Sequence, residues 1–211
     1  PIAAMRNLGE VALARPRSES EYRRTLGSML GELDRMTRLV EQLLQLAQLE
    51  AGALSRRFVP VSLRQAVERV LRAYEPLAEA QRLQIRTAFP SADLQVLGLE
   101  ELVVELLGNL LDNALRHTPG GGAIQIDVAE FPGGDVGVAV VDGGPGIPPE
   151  YAQTIFERFA QVPGSKTGTT GLGLSLAAEI ARLHGGKLEL ANPGQPGARF
   201  ECRLPRARAI G

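Results

Sequence analysis

Cysteine is nearly absent from this chain: Cys202 is the sole thiol among 211 residues. One thiol excludes a disulfide framework and a thiolate metal site, and it fits a reducing compartment. Long apolar runs are missing too. No stretch approaches the ~18 residues of a membrane span, and no secretory signal opens the chain. Charge is balanced, with Lys+Arg 23 against Asp+Glu 24 and a net charge of -1. The chain thus lacks the basic footprint of a nucleic-acid or polyanion binder. Histidine is limited to His117 and His184. Repeats of solenoid period are absent. Two nucleotide signatures fail as well. Gly164-Ser165-Lys166-Thr167 has no glycine at the earlier position of a P-loop. Gly171-Leu172-Gly173 lacks the third glycine of a dinucleotide fingerprint and follows no strand. What is present is an ordinary globular composition, 44% hydrophobic, long enough for one large domain or two small ones. Opening on Pro1 rather than Met, the chain is expected to be a piece of something longer, with upstream membrane segments left open.

In chain order, Ile2, Met5, Leu8 or Gly9, and Ala12 give a helical period from Pro1, a residue suited to a helix start. Arg15-Pro16-Arg17 breaks it. Ser18 with Glu21 forms a capping box for a second helix, expected to run to about Glu50 and stop at Gly52. That helix carries a heptad seam, Leu26, Leu30, Leu33, Thr37, Val40, Leu44 and Ala47, with a second seam of Leu39, Leu43, Leu46 and Leu49 beside it. One seam suits a two-helix hairpin. Two favour a hairpin that also pairs into a dimeric four-helix bundle, over one packed on its own downstream domain. Residues 53–60 read as a linker. Ser62 caps a helix towards Gln81, with Pro76 marking a kink or an end. Strands are expected at 83–89, 94–97, 123–129, 135–141, 187–191 and 199–204. Helices are expected at 99–117, 151–156 and 172–184. Residues 61–207 thus read as an α+β layered domain, an α/β sandwich with a mixed sheet, behind the hairpin of residues 1–52.

Three stretches carry chemistry. Asn109 and Asn113 lie four apart in a Leu-rich helix, so both carboxamides project from one face, with Arg116 and His117 beyond them. A carboxamide oxygen is a neutral ligand that Mg²⁺ accepts when phosphates fill most of its shell; a polar seam on a surface helix is the alternative. Asp142-Gly143-Gly144-Pro145-Gly146-Ile147 follows an apolar strand. There a carboxylate can take a hydrogen bond from an exocyclic amine such as adenine N6. Its glycines let a flat ligand approach, and Ile147 can supply an apolar wall. A tight turn into Pro148-Pro149 is the alternative. Gly168-Thr169-Thr170-Gly171-Leu172-Gly173-Leu174 leads into a helix, a ready anion site, behind a polar loop suited to be a lid.

The order of these stretches, with Phe156-Glu157-Arg158-Phe159 between the last two, closely resembles the sensor histidine kinases. The matches are to their N box (109–117), G1 box (142–147), F box (156–159) and G2 box (168–174). Residues 61–206 resemble that family's ATP-binding domain. Residues 1–52 resemble its dimerisation and histidine-phosphotransfer hairpin. The resemblance implies that Asn113 coordinates Mg²⁺ with Asn109 helping, and that Arg116 contacts phosphate. His117 stands where the family often stacks an aromatic near adenine. Asp142 binds the adenine amine, with Gly144, Gly146 and Ile147 shaping its pocket. Phe156 and Phe159 brace the lid, and Phe159 borders the nucleotide. Gly168, Thr169, Thr170, Gly171, Leu172 and Gly173 line the triphosphate.

The resemblance further implies an ATP-dependent protein-histidine kinase working as a homodimer, with a response regulator receiver domain as partner. It would sit on the cytoplasmic side of the inner membrane, with this fragment soluble. Pro1-Ile2-Ala3-Ala4 resembles the end of the phosphoacceptor motif, so the acceptor His and its acidic neighbour are expected just upstream of Pro1. This fragment is then expected to bind Mg²⁺ and ATP without phosphorylating itself. His184, before Gly185-Gly186, reads as a structural residue whose charge suits a helix C-terminus. Two other readings stand beside the kinase. A gyrase- or Hsp90-like hydrolase needs a water-activating Glu where this chain has Asn109, which cannot act as a base. A dimeric interaction module that no longer binds nucleotide would leave the filled polar positions unexplained.

Overall fold

A computed structural model of the chain describes residues 2–50, 58–163 and 170–207. The chain falls into two compact units, Pro1–Gln45 and Leu46–Gly211.

Helix α1 (Ile2–Leu13) and the long helix α2 (Glu19–Glu50) form the N-terminal part. The expected capping box is present: the Glu21 N–H donates to Ser18 Oγ at 3.3 Å, and the Ser18 N–H returns to Glu21 Oε2 at 2.9 Å. That returning bond holds the Glu21 carboxyl below the ordinary carboxylate range. Ala12 is buried on α1, and Gly9 abuts Met29 of α2. The α2 row that is half-buried in the single chain is Thr25, Met29, Met36, Leu39 and Leu43. Leu26, Leu30, Leu33, Val40 and Leu44 stay between 47% and 61% exposed. The first heptad seam is therefore not the face α2 turns to α1, and one chain leaves it uncovered. Of the expected stop, Gly52 lies outside the described residues.

The second unit starts with β1 (Val59–Ser62), which occupies the end of the expected linker because its backbone pairs antiparallel with β3 (Gln95–Gly98). Ser62 then caps α3 (Leu63–Ala80), accepting the Gln65 N–H at 3.3 Å. Pro76 does not end α3: it faces solvent, and the buried face Leu63, Ala66, Val67, Val70 and Ala78 carries the helix past it. A five-stranded sheet follows in the order β2-β4-β5-β7-β6. Its strands are β2 (Gln84–Ala88), β4 (Ala123–Glu130), β5 (Val136–Val141), β6 (Lys187–Leu190) and β7 (Arg199–Leu204). The β2–β4 pair is parallel and the other pairs are antiparallel, so the sheet is mixed. Helix α4 (Glu100–His117) and helix α5 (Gly173–Leu183) pack on one face. Helix α4 lies against β5 and helix α5 against β6 and β7, and Ile124, Ile126 and Val128 of β4 are buried. The expected helix at 151–156 is instead two 3-10 turns, Pro149–Tyr151 and Thr154–Phe156, which turn Ile155 into the core and set Phe156 edge-on to Phe200.

The opposite sheet face is a charge ladder. Register sets Asp127 against Ala139 and Ala139 against Glu201. Glu201, only 8% exposed, accepts from Arg199 Nε at 2.8 Å and from an Arg203 guanidinium nitrogen at 2.6 Å. Arg203 in turn lies over the Phe131 ring at 4.9 Å.

His184 ends α5, but not as the expected cation. Its ring stacks on Phe58 with centroids 4.7 Å apart, and Nδ1 meets the Ile180 carbonyl at 2.7 Å. Nε2 is buried with no hydrogen-bond partner among the described residues. Burial pushes its pKa down, so the ring is neutral with its proton on Nδ1. Packing outweighs the pull of the helix terminus here.

Candidate nucleotide site

Helix α4 supplies the polar wall. Its apolar residues Leu102, Leu106, Leu110, Leu111 and Leu115 are buried, which turns Asn109, Asp112, Asn113 and Arg116 to the half-buried opposite side. The Asn109 amide donates to the Glu105 carbonyl at 3.0 Å. Its Oδ1 faces the first residue of α5, where a Cβ on Gly173 would stand 3.1 Å away. Any larger residue at 173 would crowd that oxygen. Asn113 makes no hydrogen bond to the described residues, so its carboxamide is available to a ligand. Arg116 is engaged with Asp112 at 2.8 Å, one helical turn back, both side chains over a third exposed. Such a pair contributes at most about 1 kcal/mol, so a phosphate can displace it. Among the described residues no three His, Cys, Asp or Glu side chains converge on a metal. A metal at Asn113 would therefore draw most of its shell from phosphate and water, which is the setting that suits a neutral carboxamide.

The second wall is the loop after β5. Asp142 is 6% exposed. Its Oδ1 accepts the Gly144 N–H at 2.8 Å and the Ala198 N–H at 3.1 Å. Both bonds fall on one oxygen, leaving Oδ2 with no donor among the described residues. Burial raises the Asp142 pKa, while the Ala198 and Gly144 bonds and the charge of nearby His117 pull it down. A buried carboxylate with one oxygen anchored and one open fits an amine donor. Gly146 has φ +81, and a Cβ there would strike the Gln195 carbonyl. Gly144 lies against the His117 carbonyl, 3.0 Å from where its Cβ would be. The carbonyl of half-buried Ile147 accepts the Gly194 N–H at 2.7 Å.

The third wall is the start of α5. Gly171 has φ +69, and a Cβ on it would lie 2.7 Å from Phe159 Cα. The first helical bond of α5 runs from the Leu176 N–H to the Leu172 carbonyl at 2.9 Å. The N–H groups before it have no partner within the helix, the arrangement that suits an anion. The side chain of Leu172 is fully buried, and its N–H donates to Thr170 Oγ1 at 3.3 Å. Phe159 has a 55% exposed ring and φ +64, and what ties it in is its N–H, given to the Gly171 carbonyl at 2.8 Å. The buried anchor of that segment is Ile155, with Phe156 edge-on to Phe200 at 6.2 Å. Gly168 and Thr169 lie outside the described residues.

Four residues that support the site escape a reading of the sequence. Ala198 brackets Asp142 with both backbone groups, its carbonyl accepting the Asp142 N–H at 3.0 Å. The Gly197 N–H donates to the Gly144 carbonyl at 2.8 Å, and Asn192 Nδ2 holds the Gly197 carbonyl at 2.7 Å. Buried Thr118 donates to the Ala114 carbonyl at 2.8 Å and accepts the Gly143 N–H at 3.2 Å. Only Asn192, in its Asn-Pro-Gly turn, leaves a signal in the sequence.

Comparison with known proteins fits this geometry. Residues 98–208 match the model of the histidine kinase-, DNA gyrase B- and HSP90-like ATPases, and residues 1–52 match the His Kinase A (phospho-acceptor) domain. The chain is 35% identical to the sensor protein kinase PmrB of Pseudomonas aeruginosa, over 97% of this chain and 42% of that protein. It is 30% identical to the sensor-like histidine kinase SenX3 of Mycobacterium tuberculosis, over 97% of this chain and 50% of that protein. It thus spans half or less of these two relatives. Among solved structures, full-length ShkA in complex with AMPPNP superposes with a TM-score of 0.75 at 25% identity, covering 97% of this chain and 42% of that one. A Leu-rich helix with an open Asn face, a half-anchored buried Asp after a central strand, and a glycine-opened helix between them, carried on this mixed sheet and matched by both domain families, make the chain a member of the sensor histidine kinases of two-component systems.

Proposed function

We propose that this chain is the catalytic part of a two-component sensor kinase that binds ATP with Mg²⁺ in the site between α4, the Asp142 loop and the start of α5. The observation that carries the reading is the pairing of an unpartnered Asn113 carboxamide with the open Oδ2 of Asp142, at the phosphate and base ends of one site. ShkA, the 25% identical relative, was solved with the ATP analogue AMPPNP. In this reading Asp142 receives the exocyclic amine of adenine, and Gly144 and Gly146 admit the flat base. Asn113 and Asn109 hold the metal side of the triphosphate. Arg116 exchanges Asp112 for phosphate, and the N–H groups opening α5 face the phosphate chain. Bound Mg²⁺ would neutralise charge on the β- and γ-phosphates.

The reaction is in-line transfer. An imidazole nitrogen attacks the γ-phosphorus, the bond to the β–γ bridging oxygen breaks, and ADP leaves with the electron pair. Neither histidine of these residues suits the acceptor role: His184 is buried and neutral, and His117 borders the base pocket. The acceptor imidazole is assigned to the phospho-acceptor domain, the family that residues 1–52 match. The phosphoryl group then passes to an aspartate of a response regulator receiver domain. Two chains pair through the exposed Leu26–Leu44 seam, and the protein works on the cytoplasmic side of the inner membrane. No nucleic acid is involved.

The test is calorimetric titration with a non-hydrolysable ATP analogue, with and without Mg²⁺, beside Asn113→Ala. The expected result is Mg²⁺-dependent binding that Asn113→Ala weakens by at least about tenfold. Failure of the unmutated chain to bind would refute the reading.

A further inference from the structure

Thr118 joins the phosphate-binding helix to the base-binding loop through its side chain. It caps the C-terminus of α4, five residues beyond Asn113, and it is 1% exposed. Its hydroxyl is used in both directions. It donates to the Ala114 carbonyl at 2.8 Å and accepts the Gly143 N–H at 3.2 Å. Gly143 is the residue between Asp142 and Gly144, whose N–H holds Asp142 Oδ1. The methyl group of Thr118 is fixed as firmly. A Cβ on Gly122 would lie 2.6 Å from it, and one on Gly143 would lie 3.4 Å from it. Two glycines therefore open a slot that the methyl fills, and the side chain has one orientation. The residue that follows is Pro119, which keeps Thr118 in the extended backbone seen at φ -71, ψ 129 and stops α4 there.

We infer that Thr118 is a positioning residue for nucleobase recognition, setting the Asp142 loop relative to the Asn109–Asn113 face. The inference rests on Asp142 as the acceptor of the adenine amine. Asp142 itself is anchored from two sides. Ala198 fixes it to β7, and Gly144 fixes it to its own loop. Neither bond reaches the helix that carries the metal-binding carboxamides. Thr118 supplies that bond, so the distance between base and triphosphate ends depends on its hydroxyl. Without the hydroxyl the loop remains attached to the sheet but loses its register on α4. The open oxygen of Asp142 then no longer meets the 6-amino group of a base whose phosphates are fixed at Asn113.

The experiment compares two triphosphates on the full chain at constant Mg²⁺: the ATP analogue, and the same analogue built on purine riboside, which lacks the 6-amino group. The unmutated chain should prefer the amino-bearing base by at least about tenfold, the low end for one hydrogen bond to a charged acceptor. Thr118→Val, which keeps the methyl slot filled, should bring the preference close to unity while binding remains Mg²⁺-dependent. Thr118→Ser, which keeps the hydroxyl, should restore it. A Thr118→Val chain that retains the full preference overturns the inference. So does one that loses affinity equally for both triphosphates, since that is the mark of a purely structural role. An unmutated chain with no preference between the two bases overturns the reading of Asp142 instead, and this inference falls with it.

Discussion

Replacing Asp142 by asparagine separates recognition from stability, because the two respond with opposite signs. The carboxamide oxygen in Asp142→Asn can still accept the N–H groups of Gly144 and Ala198, so the anchored half of the side chain is kept. The open half changes from an acceptor to an amide N–H that meets an amine donor. A hydrogen bond to a charged acceptor contributes about 1.5–3 kcal/mol. Its loss together with a donor–donor clash should weaken ATP binding by about 2–4 kcal/mol, roughly 30- to 1000-fold in Kd. Stability should move the other way. Burial raises the Asp142 pKa above its unfolded value near ~3.9. Between the two values the folded chain holds the extra proton, so stability is greatest below the unfolded pKa and declines as pH rises through this window. At neutral pH the ionised carboxylate is thus a net cost that a carboxamide does not carry. Asp142→Asn should melt at or above the unmutated temperature by scanning fluorimetry while calorimetry shows the lost affinity. Binding by the unmutated chain should also weaken on acidification at a pH above the ordinary carboxylate range. Asp142→Asn that binds ATP within about threefold of the unmutated chain would refute the assignment, since one charged hydrogen bond is larger than that. A melting point several degrees lower would show that the carboxylate is a structural bond instead.

Two further outcomes follow from groups outside the site. His184 is buried and neutral with its pKa pushed down. Stability should therefore be full above pH ~6.5 and fall, by at most about 1.4 kcal/mol per pH unit, as pH drops from there through the folded pKa. Denaturant titrations across that range should show the slope, and it should survive in His117→Gln, which removes the other histidine. On α2, Leu30 is 61% exposed in the single chain. Leu30→Glu should cost a monomer almost nothing yet convert a dimer to monomers in light scattering across concentrations, and an unchanged mass would remove the Leu26–Leu44 seam as the pairing surface.

The elements that a sequence reading captures are those whose side chains do the folding work. The capping boxes at Ser18 and Ser62, the apolar period of α4 and the alternation of β4 each write their structure into residue type. The elements it misses are made by backbone. Strand β1 is four residues containing a proline, and it exists because β3 offers it a partner. The break of residues 149–156 into two turns depends on how Ile155 and Phe156 reach the core, a tertiary matter. His184 misleads for a related reason: its helix-end position is local, whereas Phe58 and Gly98, which bury it, are far away in the chain.

The candidate site divides the same way. Asn109 and Asn113 stand out because they interrupt a leucine-rich helix with residues that neither pack nor favour helix. Asp142 stands out because a carboxylate ends an apolar strand among glycines. Each is visible because it is out of place for folding, which is what a ligand-facing residue must be. The residues that aim them are in place for folding and so invisible. Ala198 acts through an N–H and a carbonyl that nearly every residue possesses. Thr118 looks like an ordinary helix end before proline. Leu172 turns its side chain into the core, while Gly171 and Gly173 beside it stand against Phe159 and Asn109. In the proposed site, ligand chemistry is thus assigned to conspicuous side chains, and its geometry to common backbone groups. A substitution that abolishes binding need not fall on a residue that touches the nucleotide.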